Sequence, residues 1–151
     1  MKPATPDDVF WLMDGYVASA AVGAAMEHGL FWLLAEEPLG PADVASILGI
    51  PEDRCRQWVH LITELGLLDR VSDGYVASAN ARMAVLDAYS QDTWAFLGRE
   101  ARERFPAVRD LAVQIGESGT SWQAQGLTPP DYFAFLMEQP ERAAGFTHML
   151  Y

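Results

Sequence analysis

Apolar residues recur at three- and four-residue intervals from Pro6 to about Glu36: Val9, Phe10, Met13, Tyr16, Val17, Ala20, Ala21 and Ala24, then Met26, Leu30, Leu33 and Leu34. This spacing predicts helices. Gly23 and Gly29 are expected to divide the stretch into two or three of them, because glycine inside a helix costs about 1 kcal/mol. The run ASAAVGAA (18–25) has little side-chain bulk. Another helix can approach it closely, and its burial is expected to need a second chain.

Between Gly40 and Ser78 the pattern changes. Pro41 opens a short helix with Val44, Ala45 and Leu48 inward, and Gly49 closes it. GIP makes the turn. Pro51, Glu52 and Asp53 suit the first turn of a second helix, on which Cys55, Trp58, Val59, Ile62 and Leu65 form one apolar stripe. Gly66 stands where a left-handed cap belongs. LLDRV, SDG and YVAS then predict strand, turn and strand, with Asp73-Gly74 supplying the positive backbone angles of the turn. Short helix, turn, helix and hairpin together define a winged helix-turn-helix.

Further on, Asn80 to Leu86 predicts a short helix, and Asp92 to Glu117 a long one with Trp94, Leu97, Ala101, Phe105, Val108, Ala112 and Ile115 near one face. Pro106 is expected to kink or break it, since proline removes a backbone donor and clashes with the preceding turn. GESGTSWQAQGLTPP reads as a loop anchored by Trp122, Asp131 to Glu138 as a helix, and Pro140-Glu141 as the start of a last one. That helix shows Ala143, Phe146, Thr147 and Leu150 on one face, and no stop signal follows. The expectation is a seam. The chain divides into residues 1–36 (dimerisation helices), 37–78 (winged helix-turn-helix) and 79–151 (helical extension). The fold class is mainly α: a winged helix-turn-helix with a small hairpin, plus N-terminal and C-terminal helices.

Composition narrows the function. With 21 acids against 10 bases the net charge is −11, which weighs against non-specific nucleic-acid binding and against anionic membranes. The most apolar run, roughly Val17 to Ala35, is broken by Glu27, His28 and two glycines, too mixed for a membrane span. The single Cys55 allows no internal disulfide, so a cytoplasmic location is expected.

No self-sufficient active site emerges. His28, His60 and His148 stand at no metal-ligand spacing, so neither catalytic nor metal-binding residues are assigned. Cys55, on the inner stripe, reads as a small hydrophobe. Glu100 and Glu103 alternate with Arg99, Arg102 and Arg104, a pattern of a solvated, ion-paired face. The second winged-helix helix turns Arg54, Arg56, Gln57 and His60 outward but counters them with Glu52, Asp53 and Glu64. The hairpin adds only Arg70, beside two aspartates. That is little positive charge for holding phosphates.

Taken in order, Gly15-Tyr16, Glu27-His28-Gly29-Leu30-Phe31, Leu65 to Leu68, Tyr75, and Pro140, Glu141, Ala143 and Phe146 give a pattern that resembles the N-terminal dimerisation domain of S-adenosylmethionine-dependent small-molecule O-methyltransferases. The resemblance covers nearly the whole chain. It implies a non-catalytic domain whose helices intertwine with a second subunit and line the acceptor pocket. The donor would sit on a Rossmann-like domain that these residues do not include. On this reading the chain alone binds no cofactor, and S-adenosylmethionine belongs to a partner subunit or a further domain.

The resemblance further implies an acceptor wall from Trp94, Phe146, Met149 and Leu150, and a dimer interface from Phe10, Trp11, Tyr16, Ala20 and Ala24. The acceptor would be a small aromatic or polyketide-like molecule. The partners would be a second copy, a Rossmann-type methyltransferase subunit, or both. Three other readings stay open: a winged-helix transcriptional regulator, an excised fragment of a full-length O-methyltransferase, and a stand-alone small-molecule binder.

Overall fold

The computed structural model describes residues 2–116 continuously, together with 118–119, 123, 134, 138, 140, 143–145 and 147. Its helices are α1 (Pro6–Met13), α2 (Gly15–Glu27), α3 (Leu30–Glu36), α4 (Pro41–Leu48), α5 (Glu52–Glu64), α6 (Ala79–Ala81), α7 (Gln91–Arg109) and α8 (Leu111–Gln114), with a π-helical stretch at Arg82–Leu86. Strands β1 (Leu68–Val71) and β2 (Gly74–Ala77) pair antiparallel. The class is mainly α with one small sheet, as expected. Residue contacts separate two compact units, 1–98 and 99–151. Trp122, Phe146, Met149 and Leu150 lie outside the described residues.

Three helices occupy 6–36, with one break placed differently from expectation. Gly29 separates α2 from α3, but Gly23 lies inside α2, and the first break falls at Asp14, where α1 and α2 meet at a 44° bend. Thr5 and Asp8 close a capping box at the start of α1: Asp8 N–H donates to Thr5 Oγ1 at 3.2 Å, and Thr5 N–H to Asp8 Oδ2 at 2.8 Å. Gly23 lies where α7 approaches at Gly98, although a Cβ on Gly23 would stand an ordinary 3.6 Å from Gly98 O.

The core of the first unit gathers at α3, α4, α5 and the hairpin. Leu30, Phe31 and Leu34 of α3, Val44 of α4, Cys55, Val59 and Ile62 of α5, and Leu68 of β1 are all at most 1% exposed. Each large side chain among them contributes about 1.5–3 kcal/mol by leaving water. Leu30, Leu34, Val44, Cys55, Val59 and Ile62 are inward positions the helical periodicity predicts, Phe31 is buried outside that pattern, and Leu33 and Leu48, expected inward, are half-buried. Trp58 and Leu65 complete the α5 stripe half-buried. After α5, Gly66 N–H donates to Thr63 O at 2.8 Å and Leu67 N–H to Ile62 O at 3.2 Å, so the chain reverses into β1.

The hairpin corrects one expectation. Val71 pairs with Gly74, leaving Ser72 and Asp73 as the two loop residues. Only Gly74 has a positive φ, at 144°, and Asp73 does not. The glycine serves a close approach: a Cβ there would lie 2.3 Å from the carbonyl oxygen of Leu39. Leu39 runs along β2 and exchanges two hydrogen bonds with Tyr75, of 3.2 and 3.0 Å. Helix, turn, helix, hairpin and this bridging segment make a winged-helix-like arrangement. Buried Ser78 ties it off, its hydroxyl donating to Gly66 O at 2.8 Å and accepting from Ala81 N–H at 3.1 Å.

Helix α7 departs from expectation twice. Pro106 does not break it: the helix continues to Arg109, and the break comes at Asp110. Its buried positions are Thr93, Phe96, Glu100 and Ala107, which share one stripe at spacings of three, four and seven. The anticipated apolar face is rotated away from that stripe, leaving Phe105, Val108 and Ile115 at 42%, 51% and 73% exposure. Glu100 therefore does not stand on a solvated face with Glu103 and the flanking arginines. It falls on the buried stripe one turn after Phe96.

Candidate functional site

Helix α1 contains no buried residue. Phe10, Trp11, Leu12 and Met13 are 58–66% exposed, and the apolar surface continues into α2 through Tyr16 and Val17. Helix α1 thus leaves Phe10, Trp11, Leu12 and Met13 more than half exposed. Contiguous apolar surface of this kind marks an interaction site. Of the residues assigned to a dimer interface, Phe10, Trp11, Tyr16 and Ala20 are exposed and Ala24 is half-buried.

Two open grooves flank the antiparallel ridge of α2 and α5. One, of about 650 Å³, has Ala21, Ala24 and Trp58 on its floor and His28, Arg54 and Gln57 at its edge. Trp58 is fixed there by its indole N–H, which donates to Ala21 O at 3.0 Å, and by an edge-on contact with His28 at 6.0 Å between ring centres. The second groove, of about 530 Å³, runs between α1 and the C-terminal end of α5, lined by Phe10, Trp11 and Leu65 with Asp7, Asp14 and Glu64 at its edge. Val17 and Leu61 border both.

A third, more polar cleft of about 710 Å³ opens between α5 and the hairpin, with Arg56, His60, Arg70, Asp73 and Tyr75 on its walls. This is the face that a DNA-binding winged helix uses. Arg56 is already ion-paired with Glu52, one turn earlier on the same helix.

Trp94 is half-buried, and its indole N–H is committed to Val85 O at 2.9 Å, with Tyr89 edge-on at 5.5 Å. Only its ring remains to meet a ligand. The other assigned acceptor residues, Phe146, Met149 and Leu150, lie outside the described residues. Cys55 is fully buried, and burial, aided by Glu52, pushes its thiol pKa up. That is the opposite of what a nucleophile needs.

The described residues do not fit a methyl donor. A donor loop joins a strand to a helix through glycines. Here β1 turns directly into β2 through Ser72-Asp73, and β2 passes into α6 through the capping hydroxyl of Ser78. No group of three metal-ligating side chains occurs among the described residues, and no single helix there is long and apolar enough to cross a membrane.

No protein-family profile matches the chain. In sequence it is 29% identical, over 134 residues, to the N,N-dimethyltransferase OxyT of Streptomyces rimosus, a match that covers 87% of this chain and 38% of the relative. In fold it superposes on PigF, solved with SAH, at a TM-score of 0.83 and 23% identity, covering 97% of this chain and 44% of PigF. It also superposes on an O-methyltransferase family protein from Burkholderia thailandensis at 0.66 and 19%, covering 96% of this chain and 41% of that one. The resemblance to small-molecule methyltransferases therefore holds in sequence and in fold. The chain spans about two-fifths of the length of the proteins it matches, a share in keeping with their N-terminal domain.

Proposed function

We propose that these residues form the non-catalytic, dimerising and acceptor-facing part of a small-molecule methyltransferase. The S-adenosylmethionine-binding fold would be supplied outside them, as a separate Rossmann-type subunit or as a further domain of the same polypeptide. The observation that carries this reading is the uncovered apolar helix α1, on a fold shared with methyltransferases but without a strand-to-helix donor loop among the described residues.

Bound outside these residues, S-adenosylmethionine would supply an activated methyl group for transfer to the acceptor atom, leaving as S-adenosylhomocysteine while the acceptor gives up its proton. Oxygen is the acceptor atom expected from the sequence. The relative named an N,N-dimethyltransferase adds nitrogen as the other choice. This part of the protein would contribute a wall for a small aromatic or polyketide-like acceptor, formed by Trp94, Phe146, Met149 and Leu150. It would also exclude water once the donor-binding fold closes on it. Holding two reactants in register replaces a bimolecular encounter, and this is where much of the rate arises.

The test is binding and reconstitution with purified residues 1–151. Equilibrium dialysis with labelled S-adenosylmethionine is expected to show no retention by these residues alone. Retention and methyl transfer are expected once the donor-binding subunit or domain is added. Tight donor binding by residues 1–151 by themselves would overturn the proposal. Salt-sensitive binding of duplex DNA through Arg54, Arg56, His60 and Arg70 would replace it with the regulator.

A further inference from the structure

We propose that Tyr89 is a further specificity-determining residue: with Trp94 it forms a two-ring corner, held by the Val85 carbonyl, that receives the ring of an uncharged planar aromatic acceptor. This rests on the acceptor-facing role proposed above and adds a residue and a ligand class.

The argument starts from the π-helical stretch Arg82–Leu86. Its wide turn closes where Asp87 N–H donates to Arg82 O at 2.9 Å, and Arg82 ties it to the end of α3 by donating to Ala35 O at 3.1 Å. Such turns are uncommon and concentrate at functional sites. Here the turn leaves the Val85 carbonyl to collect both aromatic residues. It accepts the backbone N–H of Tyr89 at 3.4 Å and the indole N–H of Trp94 at 2.9 Å. Ser90 fixes the backbone between them, its carbonyl accepting from Trp94 N–H at 3.1 Å and its hydroxyl from Thr93 N–H at 3.3 Å.

The two rings stand 5.5 Å apart at 71°, an edge-to-face pair. Trp94 packs partly against the core and is half-buried, while Tyr89 is 41% exposed. The pair is therefore fixed from below and open on its outer side. A further flat ring extends the edge-to-face arrangement without moving either side chain. Because the Trp94 N–H is already bonded, the corner selects by ring shape. The Tyr89 hydroxyl takes no hydrogen bond from a described residue, which leaves it for one polar group of the ligand. Between positions 82 and 94 the exposed carboxylates of Asp87 and Asp92 face a single arginine, Arg82, already held by Ala35 O. That balance disfavours an anionic ligand.

The experiment is a titration of residues 1–151, isotope-labelled at the tryptophan indoles, with naphthol, an uncharged two-ring phenol. Trp94→Phe assigns the Trp94 indole signal by its disappearance. Naphthol is expected to shift that signal in the native chain. Tyr89→Ala, at an exposed site and checked by circular dichroism, is expected to weaken binding about fivefold, the scale of one aromatic pair. Tyr89→Phe keeps the ring and is expected to bind within about twofold of native. Naphthoate, which carries a carboxylate on the same rings, is expected to bind more weakly than naphthol.

If naphthol binds without shifting the Trp94 signal, or binds Tyr89→Ala as tightly as the native chain, the corner is not the receiver, although an acceptor-facing role elsewhere stands. Equal binding of naphthoate would overturn the ligand class. If the native chain binds no naphthol up to its solubility limit, the acceptor-facing role falls and this inference with it.

Discussion

A Cβ built on Gly98 falls 2.7 Å from the carbonyl oxygen of Gly23, whereas one built on Gly23 stands 3.6 Å from the carbonyl oxygen of Gly98. Helices α2 and α7 thus cross at a pair of glycines with unequal room. Gly98→Ala forces backbone against backbone and is expected to destabilise by about 1–3 kcal/mol. Gly23→Ala meets only ordinary contact distance and gains helix propensity, so it is expected to be neutral or stabilising by up to about 1 kcal/mol. Urea denaturation of the two variants beside the native chain checks the asymmetry.

The hairpin gives a second such site. At Gly74 a Cβ would sit 2.3 Å from Leu39 O, on a backbone with φ of 144°. Gly74→Ala should break the Leu39–Tyr75 bridge and cost about 2 kcal/mol or more. Loss of hydrogen-exchange protection at the Leu39 and Tyr75 amides would show it. Retained protection would mean that the bridge tolerates the displacement.

Cys55 predicts a pH dependence. Burial, with a smaller contribution from Glu52, raises its pKa in the folded state. The folded protein then holds the thiol proton more tightly than the unfolded chain. The resulting stability is complete below the ordinary thiol pKa, about 8.5, and is lost as the pH rises through the raised value. Denaturation midpoints should fall over that alkaline range, and less steeply in Cys55→Ala. In the native state a thiol reagent should react only as fast as the protein opens.

On α1, Trp11 is 59% exposed and Phe10 61%, so replacing both with aspartate removes no buried contact within one chain. If α1 packs against a second chain, the double variant should keep its circular dichroism spectrum and lose its association. If α1 is merely a solvated arm, neither should change.

How much of this was legible in the sequence depends on what sets each feature. The α4–turn–α5–hairpin section could be read because local signals coincide there: Pro41 and Gly49 bracket a helix, Gly66 caps the next, and the stripe Cys55, Val59, Ile62 points one way. The break at Asp14 carried no such signal, and Gly23, which did, sits inside α2, where one glycine costs only about 1 kcal/mol. The face of α7 was misread for a similar reason. Phe105 and Val108 stand out in its hydrophobic pattern, yet apart from Phe96 the buried stripe runs through Thr93, Glu100 and Ala107, which are small or polar. Of the candidate site, Phe10 and Trp11 entered through the resemblance to methyltransferase dimerisation domains, and their exposure on α1 required the structure. The grooves beside α2 and α5 could not be read in the sequence, because they require knowing that the two helices lie side by side.

The central claim, that this fold works as one half of an associating pair, is tested most directly by the solution mass of residues 1–151 at micromolar concentration. Light scattering should return twice the 16.7 kDa of one chain, with Phe10→Asp/Trp11→Asp returning the single mass. A native chain that stays at the single mass across that range would contradict the account.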